Sequence, residues 1–258
     1  MLYVIFEQPM LNLLAVFYSF TSNLGVLIIL LTLFIKLIMV PFMIPNYKNM
    51  KKQKELKPEL DKIKEKYKDD KKKLAEAQME LFKQHGINPA SGCLSQIVMI
   101  FALIGLYQVV SKISTVKYLT ELNSGIYFEF LKFSTEDILQ RSLWIFKMSE
   151  IDSTYILPIL AGIFTLITSA MMLPELTEAE KAAKKASTEM EDMAYTMQQQ
   201  MTVISPVMTF FVCLSLPSAL SLYIFISSLF GVGQQYFMLG NWGGLTQYIK
   251  LIRKYLKK

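Results

Sequence analysis

Forty consecutive residues, Met201–Gly240, carry no charge. As a single helix this run would be ~60 Å long, about twice the ~30 Å hydrocarbon core of a bilayer. It must therefore fold back on itself. Pro217, in Leu216-Pro217-Ser218, is the natural break, because proline removes a helical hydrogen bond and clashes with the preceding turn. Two spans follow, 201–216 and 218–239.

Three more regions are long and apolar enough to cross a membrane, for which about 20 residues suffice. They are 24–45, broken only by Thr32 and Lys36, then 93–112, uncharged as far as Val110, and 155–173. Composition agrees. The chain is 53% hydrophobic and 19% charged, against about 45–50% and about 25% in soluble domains. A uniformly soluble globule is excluded, and so is disorder. The expected fold class is all-α: a polytopic membrane protein with five transmembrane helices.

Charge sets the orientation. Residues 46–88 carry 13 Lys, 174–200 carry 3, and 240–258 carry 5 Lys/Arg, whereas 113–154 carry 4 and 1–23 none. With the N-terminus outside and the C-terminus inside, 21 basic residues are cytoplasmic and 4 are outside. The positive-inside rule selects that arrangement. The first 23 residues lack a positive n-region and an Ala-x-Ala site, so a cleaved signal peptide is not expected. Leu2–Phe20, apolar but broken by Glu7, Pro9 and Asn12, is expected to lie as a helix in the outer interface.

The segment 46–88 is patterned as a cytoplasmic helical hairpin. Leu56, Leu60, Ile63 and Tyr67 form one helical stripe, and Leu74, Ala77 and Leu81 a second. Lys68-Asp69-Asp70 is the expected turn, and Gly86 and Pro89 close the second helix. Its 13 Lys against 8 Asp/Glu give +5. That charge suits anionic lipid headgroups first, and second a docking site for a ribosome, a targeting factor or an incoming chain. Residues 113–154 are too short for a catalytic domain and are expected to form an outer cap. Residues 174–200 are expected to be a cytoplasmic loop, with a short helical pair.

Chemistry concentrates in Lys36, midway along the first span. A cation there costs about 2.5–3.5 kcal/mol on insertion scales, and no Asp or Glu lies in any of the five spans. Two readings stand: snorkelling to the inner leaflet, or a hydrated cavity with a fixed positive wall. Thr32 lies one turn earlier on the same face. Gln96, Gln108, Thr168, Ser205, Thr209, Ser227, Gln234 and Gln235 are each a helix-packing hydrogen bond first. Together they suggest a polar interior.

Two cysteines and one histidine, His85, cannot build a four-ligand metal site. There is no Walker-type phosphate loop, and the spans hold no acid or histidine pair for catalysis. No cofactor, no metal, no enzymatic activity and no specific DNA partner are expected.

Several motifs then fall in order. The run Thr32-Leu-Phe-Ile-Lys36-Leu-Ile-Met-Val-Pro41 resembles the first core span of the YidC/Oxa/Alb family of membrane protein insertases. Leu56-Lys57-Pro58-Glu59 and Lys64-Glu65-Lys66-Tyr67 resemble its hairpin. Asn88-Pro89-Ala90-Ser91-Gly92-Cys93-Leu94, with Ala102-Leu103 and Leu106-Tyr107, is similar to its second span. Leu216-Pro217-Ser218-Ala219-Leu220-Ser221-Leu222-Tyr223, with Gln234-Gln235, is similar to its last. The resemblance covers roughly residues 20–240 and corresponds to a short form without a large outer domain.

It implies a hydrophilic groove open to cytoplasm and lipid and closed outside, with Lys36 as its cation and Thr32 as its threonine; with the polar candidates of the other spans, the expected lining is Lys36, Thr32, Gln96, Gln108, Tyr223, Gln234 and Gln235. The resemblance implies nascent membrane proteins as substrates. The ribosome, the Sec translocon, the signal recognition pathway and membrane lipids are the implied partners. The tail residues Lys250, Arg253, Lys254, Lys257 and Lys258 would meet ribosomal RNA phosphates or lipid. The chain departs from the family pattern at Lys36, usually Arg, at Ile100, usually Pro, and at Ile224, often aromatic. A small-solute transporter or channel is the alternative function.

Overall fold

In a computed structural model, which describes residues 7–67, 70–87, 91–172, 193–240 and 245, the chain is mostly helical. The helices are α1 (Gln8–Tyr18), α2 (Leu24–Glu55), α3 (Lys57–Lys66), α4 (Lys71–Gln84), α5 (Ser91–Thr115), α6 (Ile156–Met172), α7 (Met193–Ser215) and α8 (Ser218–Leu239). Between α5 and α6 lie two 3₁₀ turns, Leu119–Gly125 and Glu129–Leu131, and a two-stranded antiparallel hairpin, β1 (Ser142–Leu143) and β2 (Phe146–Lys147).

Among the described residues two helical stretches are long and apolar enough to cross a membrane, Leu24–Asn49 and Ser218–Leu239. Ile100–Ile113, Ile156–Met172 and Thr202–Ser215 are shorter apolar helices. The uncharged run is thus α7 and α8, separated at Leu216-Pro217. The break is held by side chains as well as by proline. Ser221 Oγ donates to the Cys213 carbonyl (3.1 Å), satisfying an acceptor that the end of α7 leaves open.

The chain forms two compact units. The first comprises residues 1–39, 95–165 and 206–231. Its core joins Leu11 and Leu14 of α1, Leu27, Ile28 and Leu31 of α2, Leu106, Val109 and Ile113 of α5, and Leu220 and Tyr223 of α8. The segment between α5 and α6 adds Leu119, Leu122, Phe133 and Met148 to that core. Helix α2 starts where the Asn23 Oδ1 accepts the Gly25 and Val26 amides (3.0 and 3.2 Å), a side-chain N-cap.

Asn12, a polar break in the apolar run, lies inside α1 and is buried. Its Nδ2 donates to the Gly125 carbonyl (2.8 Å) and its Oδ1 accepts the Tyr127 amide (2.7 Å). Lys112 Nζ pairs with Glu7 at 2.8 Å, tying the end of α5 to the start of α1.

The second unit comprises residues 40–94, 166–205 and 232–258. Helix α2 runs through Pro41 and Pro45 to Glu55, ten residues beyond the expected end of the first span. Helices α3 and α4 pack together, with Leu56, Leu81 and Ile87 buried. Asp70 caps α4 by accepting the Lys73 amide (3.1 Å). That hydrogen bond, with the Lys73 ammonium at 3.1 Å, holds the Asp70 carboxyl below the usual carboxylate range. At the far end Gly86 adopts φ +63°. The Gly86 and Ile87 amides bond back to the Lys83 and Phe82 carbonyls (3.0 and 2.8 Å), closing the helix as a Schellman motif. The expected turn residues Lys68 and Asp69, most of 174–200, and nearly all of the tail lie outside the described residues.

Candidate functional site

The predicted site residues of the first unit sit on α2, α5 and α8. On α2, Leu24, Leu27, Ile28 and Leu31 are packed into the core, whereas Phe34, Leu37 and Ile38 are exposed. One helix therefore changes its surroundings midway. Thr32 and Lys36, four residues apart, share a face. Neither lies on the exposed side: Thr32 is 0% and Lys36 7% exposed, against 60% for the adjacent Leu37. Thr32 Oγ1 donates to the Ile28 carbonyl at 2.6 Å, a back-bond that satisfies a hydroxyl in an apolar helix.

On α8, Tyr223 and Ser227 are also four residues apart and buried. Tyr223 belongs to the same core cluster as Leu31 and Leu106. The Ser227 Oγ and, on α5, the Gln108 Oε1 are buried without a hydrogen-bond partner among the described residues. Such atoms are uncommon in a folded interior and mark where water or a polar guest would be stabilised. Thr165 and Ser228 hydroxyls, 3.1 Å apart, link α6 to α8. The sequence signal for that pair was only a hydroxyl in an apolar helix, too common to single out.

In the second unit, Gln234 and Gln235 are both buried. Gln234 Nε2 lies 3.4 Å from the Met43 Sδ. The Gln235 Oε1 is buried without a partner among the described residues. Of the remaining predicted site residues, the Gln96 side chain and Lys250, Arg253, Lys254, Lys257 and Lys258 lie outside what the structure describes. Among the described residues no group of three His, Cys, Asp or Glu side chains could hold a metal ion. Among the predicted site residues that the structure describes there is no nucleophile–base pair. The arrangement offers a cation on an inward face and scattered amide and hydroxyl groups, suited to transient hydration or hydrogen bonding.

Comparison with known proteins agrees with the resemblance drawn from the motifs. Residues 16–242 match the family model described as 60Kd inner membrane protein. The membrane protein insertase YidC of Oleidesulfovibrio alaskensis is 32% identical over 232 residues, 90% of this chain and 38% of that one. The same-named protein of Lawsonia intracellularis is 31% identical over 238 residues, 92% of this chain and 39% of that one. That of Geobacter sulfurreducens is 29% identical over 236 residues, covering 92% and 37%. The chain thus spans less than two fifths of the length of these curated relatives.

Proposed function

The chain belongs to the 60Kd inner membrane protein family, and from that premise we propose that it is a membrane protein insertase. Five spans cross the membrane, at 24–45, 93–112, 155–173, 201–216 and 218–239. The N-terminus is outside and the C-terminus cytoplasmic. The distribution of 21 basic residues against 4 supports that orientation.

The working element is a polar groove containing Lys36. A nascent polar tail must lose its hydration to enter hydrocarbon, and unsatisfied amides and charges make that costly. A wet groove reaching part-way across shortens the dry path. Lys36 attracts an acidic or carbonyl-rich tail for as long as the tail remains in the groove. The membrane potential favours moving negative charge outward, by about 2.3 kcal/mol per charge per 100 mV. The apolar segment of the substrate then partitions into lipid beside the exposed Leu37 and Ile38. No covalent step is involved.

The observation that carries this reading is the inward face of Lys36, 7% exposed on a helix whose opposite side is exposed and apolar. A snorkelling lysine would occupy the exposed side. Lysine keeps the charge but lacks the planar fork of arginine, so contact with a carboxylate is a point attraction, easily released. The partners are nascent membrane proteins and lipid, with the ribosome, Sec translocon and signal recognition pathway on the cytoplasmic side.

Crosslinking during translation tests it. A photoreactive residue at Thr32 or Tyr223 is expected to capture a nascent single-span protein with an acidic tail. Lys36→Glu is expected to reduce capture about tenfold, the equivalent of one charge-assisted hydrogen bond, and Lys36→Arg to retain it. Equal capture by Lys36→Glu would return Lys36 to a snorkelling role. Absence of any captured chain, with the protein folded, would refute the insertase reading.

A further inference from the structure

The least covered large side chain in the segment between α5 and α6 is Trp144, 92% exposed, with Ile145 beside it at 64%. Together they form the two-residue tip of the β1–β2 hairpin. Trp144 has φ +52°, a left-handed conformation that glycine and asparagine adopt readily and a bulky L-residue adopts at a cost. A tip that only had to turn the chain would be easier to build from Gly or Asn. A strained, exposed tryptophan points to a use outside the chain.

The hairpin's placement indicates what it meets. Its base is hydrogen bonded to the starts of α2 and α8, the helices long and apolar enough to cross a membrane among the described residues. The Leu24 amide donates to the Gln140 carbonyl (2.9 Å) and Asn23 Nδ2 to the Ser142 carbonyl (2.8 Å). Ser218 and Ala219 amides donate to the Glu150 and Met148 carbonyls (2.7 and 3.1 Å). A Cβ on Gly25 would come within 2.6 Å of the Leu143 Cβ, so β1 is seated against the first turn of α2. The segment 140–150 thus binds the N-terminal ends of both helices, where their apolar stretches begin. If α2 and α8 span the bilayer, that level is the boundary between headgroups and acyl chains. Tryptophan favours this depth because its ring is apolar and its indole N–H is polar. Arg141, just before β1, and Lys147, at the end of β2, are exposed beside the tip.

We propose that Trp144 and Ile145 form an interfacial lipid anchor, inserting into the leaflet at the N-terminal ends of α2 and α8 and fixing the depth of the segment they belong to. The proposal rests on the membrane reading of those helices and not on the substrate.

The chain holds two tryptophans, Trp144 and Trp242, so Trp242→Phe leaves Trp144 as the sole indole fluorophore. The full-length variant is reconstituted into phosphatidylcholine–phosphatidylglycerol vesicles. A second protein carries Trp144→Phe, Trp242→Phe and Leu37→Trp, placing the probe on the exposed face of α2. The anchor is expected to give blue-shifted Trp144 emission, protected from aqueous iodide and quenched by lipids brominated near the headgroup end of the acyl chain. The Leu37→Trp probe should respond instead to bromine deep in the chain. A Trp144 open to iodide and untouched by bromolipid, with Leu37→Trp still quenched, would overturn the anchor and leave the spans standing. So would a Trp144 shielded from iodide but insensitive to bromolipid, which would indicate a protein partner. Neither probe quenched by lipid would overturn the membrane reading of α2 and the anchor with it.

Discussion

The segments 46–88 and 113–154 both connect apolar helices, yet they are built on different principles. The first carries +5, and the large side chains buried in it among the described residues are Tyr47, Leu56, Leu81 and Ile87. Its second helix, α4, is finished locally, by the Asp70 cap at one end and the Gly86 motif at the other. The second is slightly acidic and has little regular structure. It nevertheless contributes Leu119, Leu122, Phe133 and Met148 to the core of its unit. Its backbone is bonded to α1, α2 and α8 by the contacts of Asn12, Asn23 and Ser218. Regular secondary structure is therefore a poor guide to which connection is integral. The charged hairpin satisfies its helix ends with near neighbours, whereas the irregular cap is matched by distant partners. On the proposed topology this makes the outer side closed and fixed, and the cytoplasmic side adaptable.

The comparison breaks most decisively in the cap. Leu122, fully buried, is expected to cost about 3 kcal/mol on truncation to alanine. The thermal midpoint of the purified protein in detergent should fall clearly, and an unchanged midpoint would show that the cap is not integral. Asn12→Ala comes next. It removes partners of the Gly125 carbonyl and the Tyr127 amide, at about 1–3 kcal/mol for a buried group left unsatisfied. Guanidinium titration should report it as a lower midpoint.

The hairpin should respond differently. Lys62→Gln, on an exposed position, should weaken binding to anionic vesicles about fivefold, near 1 kcal/mol for one basic residue, with no change in melting. A melting change equal to that of the cap variants would erase the contrast. The smallest effect concerns Asp70. Its carboxyl is held low by the Lys73 amide and ammonium, so its cap is fully present above about pH 4, the unfolded carboxylate value. The contribution disappears as pH falls through the lower folded value. The Lys73 amide resonance should report loss of the cap at acid pH, and Asp70→Asn should flatten that dependence.

How much of this was legible in the sequence depended on range. The α7–α8 break at Pro217, the start of α4 at Asp70 and its end at Gly86 follow from bonds within a few residues. So does the shared face of Thr32 and Lys36, which is helical spacing alone. The motif series from Thr32 to Gln235 was enough for the family, since residues 16–242 match it. What Asn12 does was not legible, because its partners lie 113 and 115 residues away. Nothing local distinguishes an asparagine that breaks a helix from one that staples it to a distant loop.

The sequence by itself determined the apolar helices, their punctuation and the placement of charge, because helix periodicity, proline geometry and desolvation act over short stretches of chain. Only the tertiary structure decided which face of α2 is buried at Lys36, that α2 continues past Pro45 to Glu55, and that an irregular segment joins the core. Those outcomes depend on which distant groups arrive to satisfy a carbonyl or cover a leucine, and that matching is settled only when the whole chain packs.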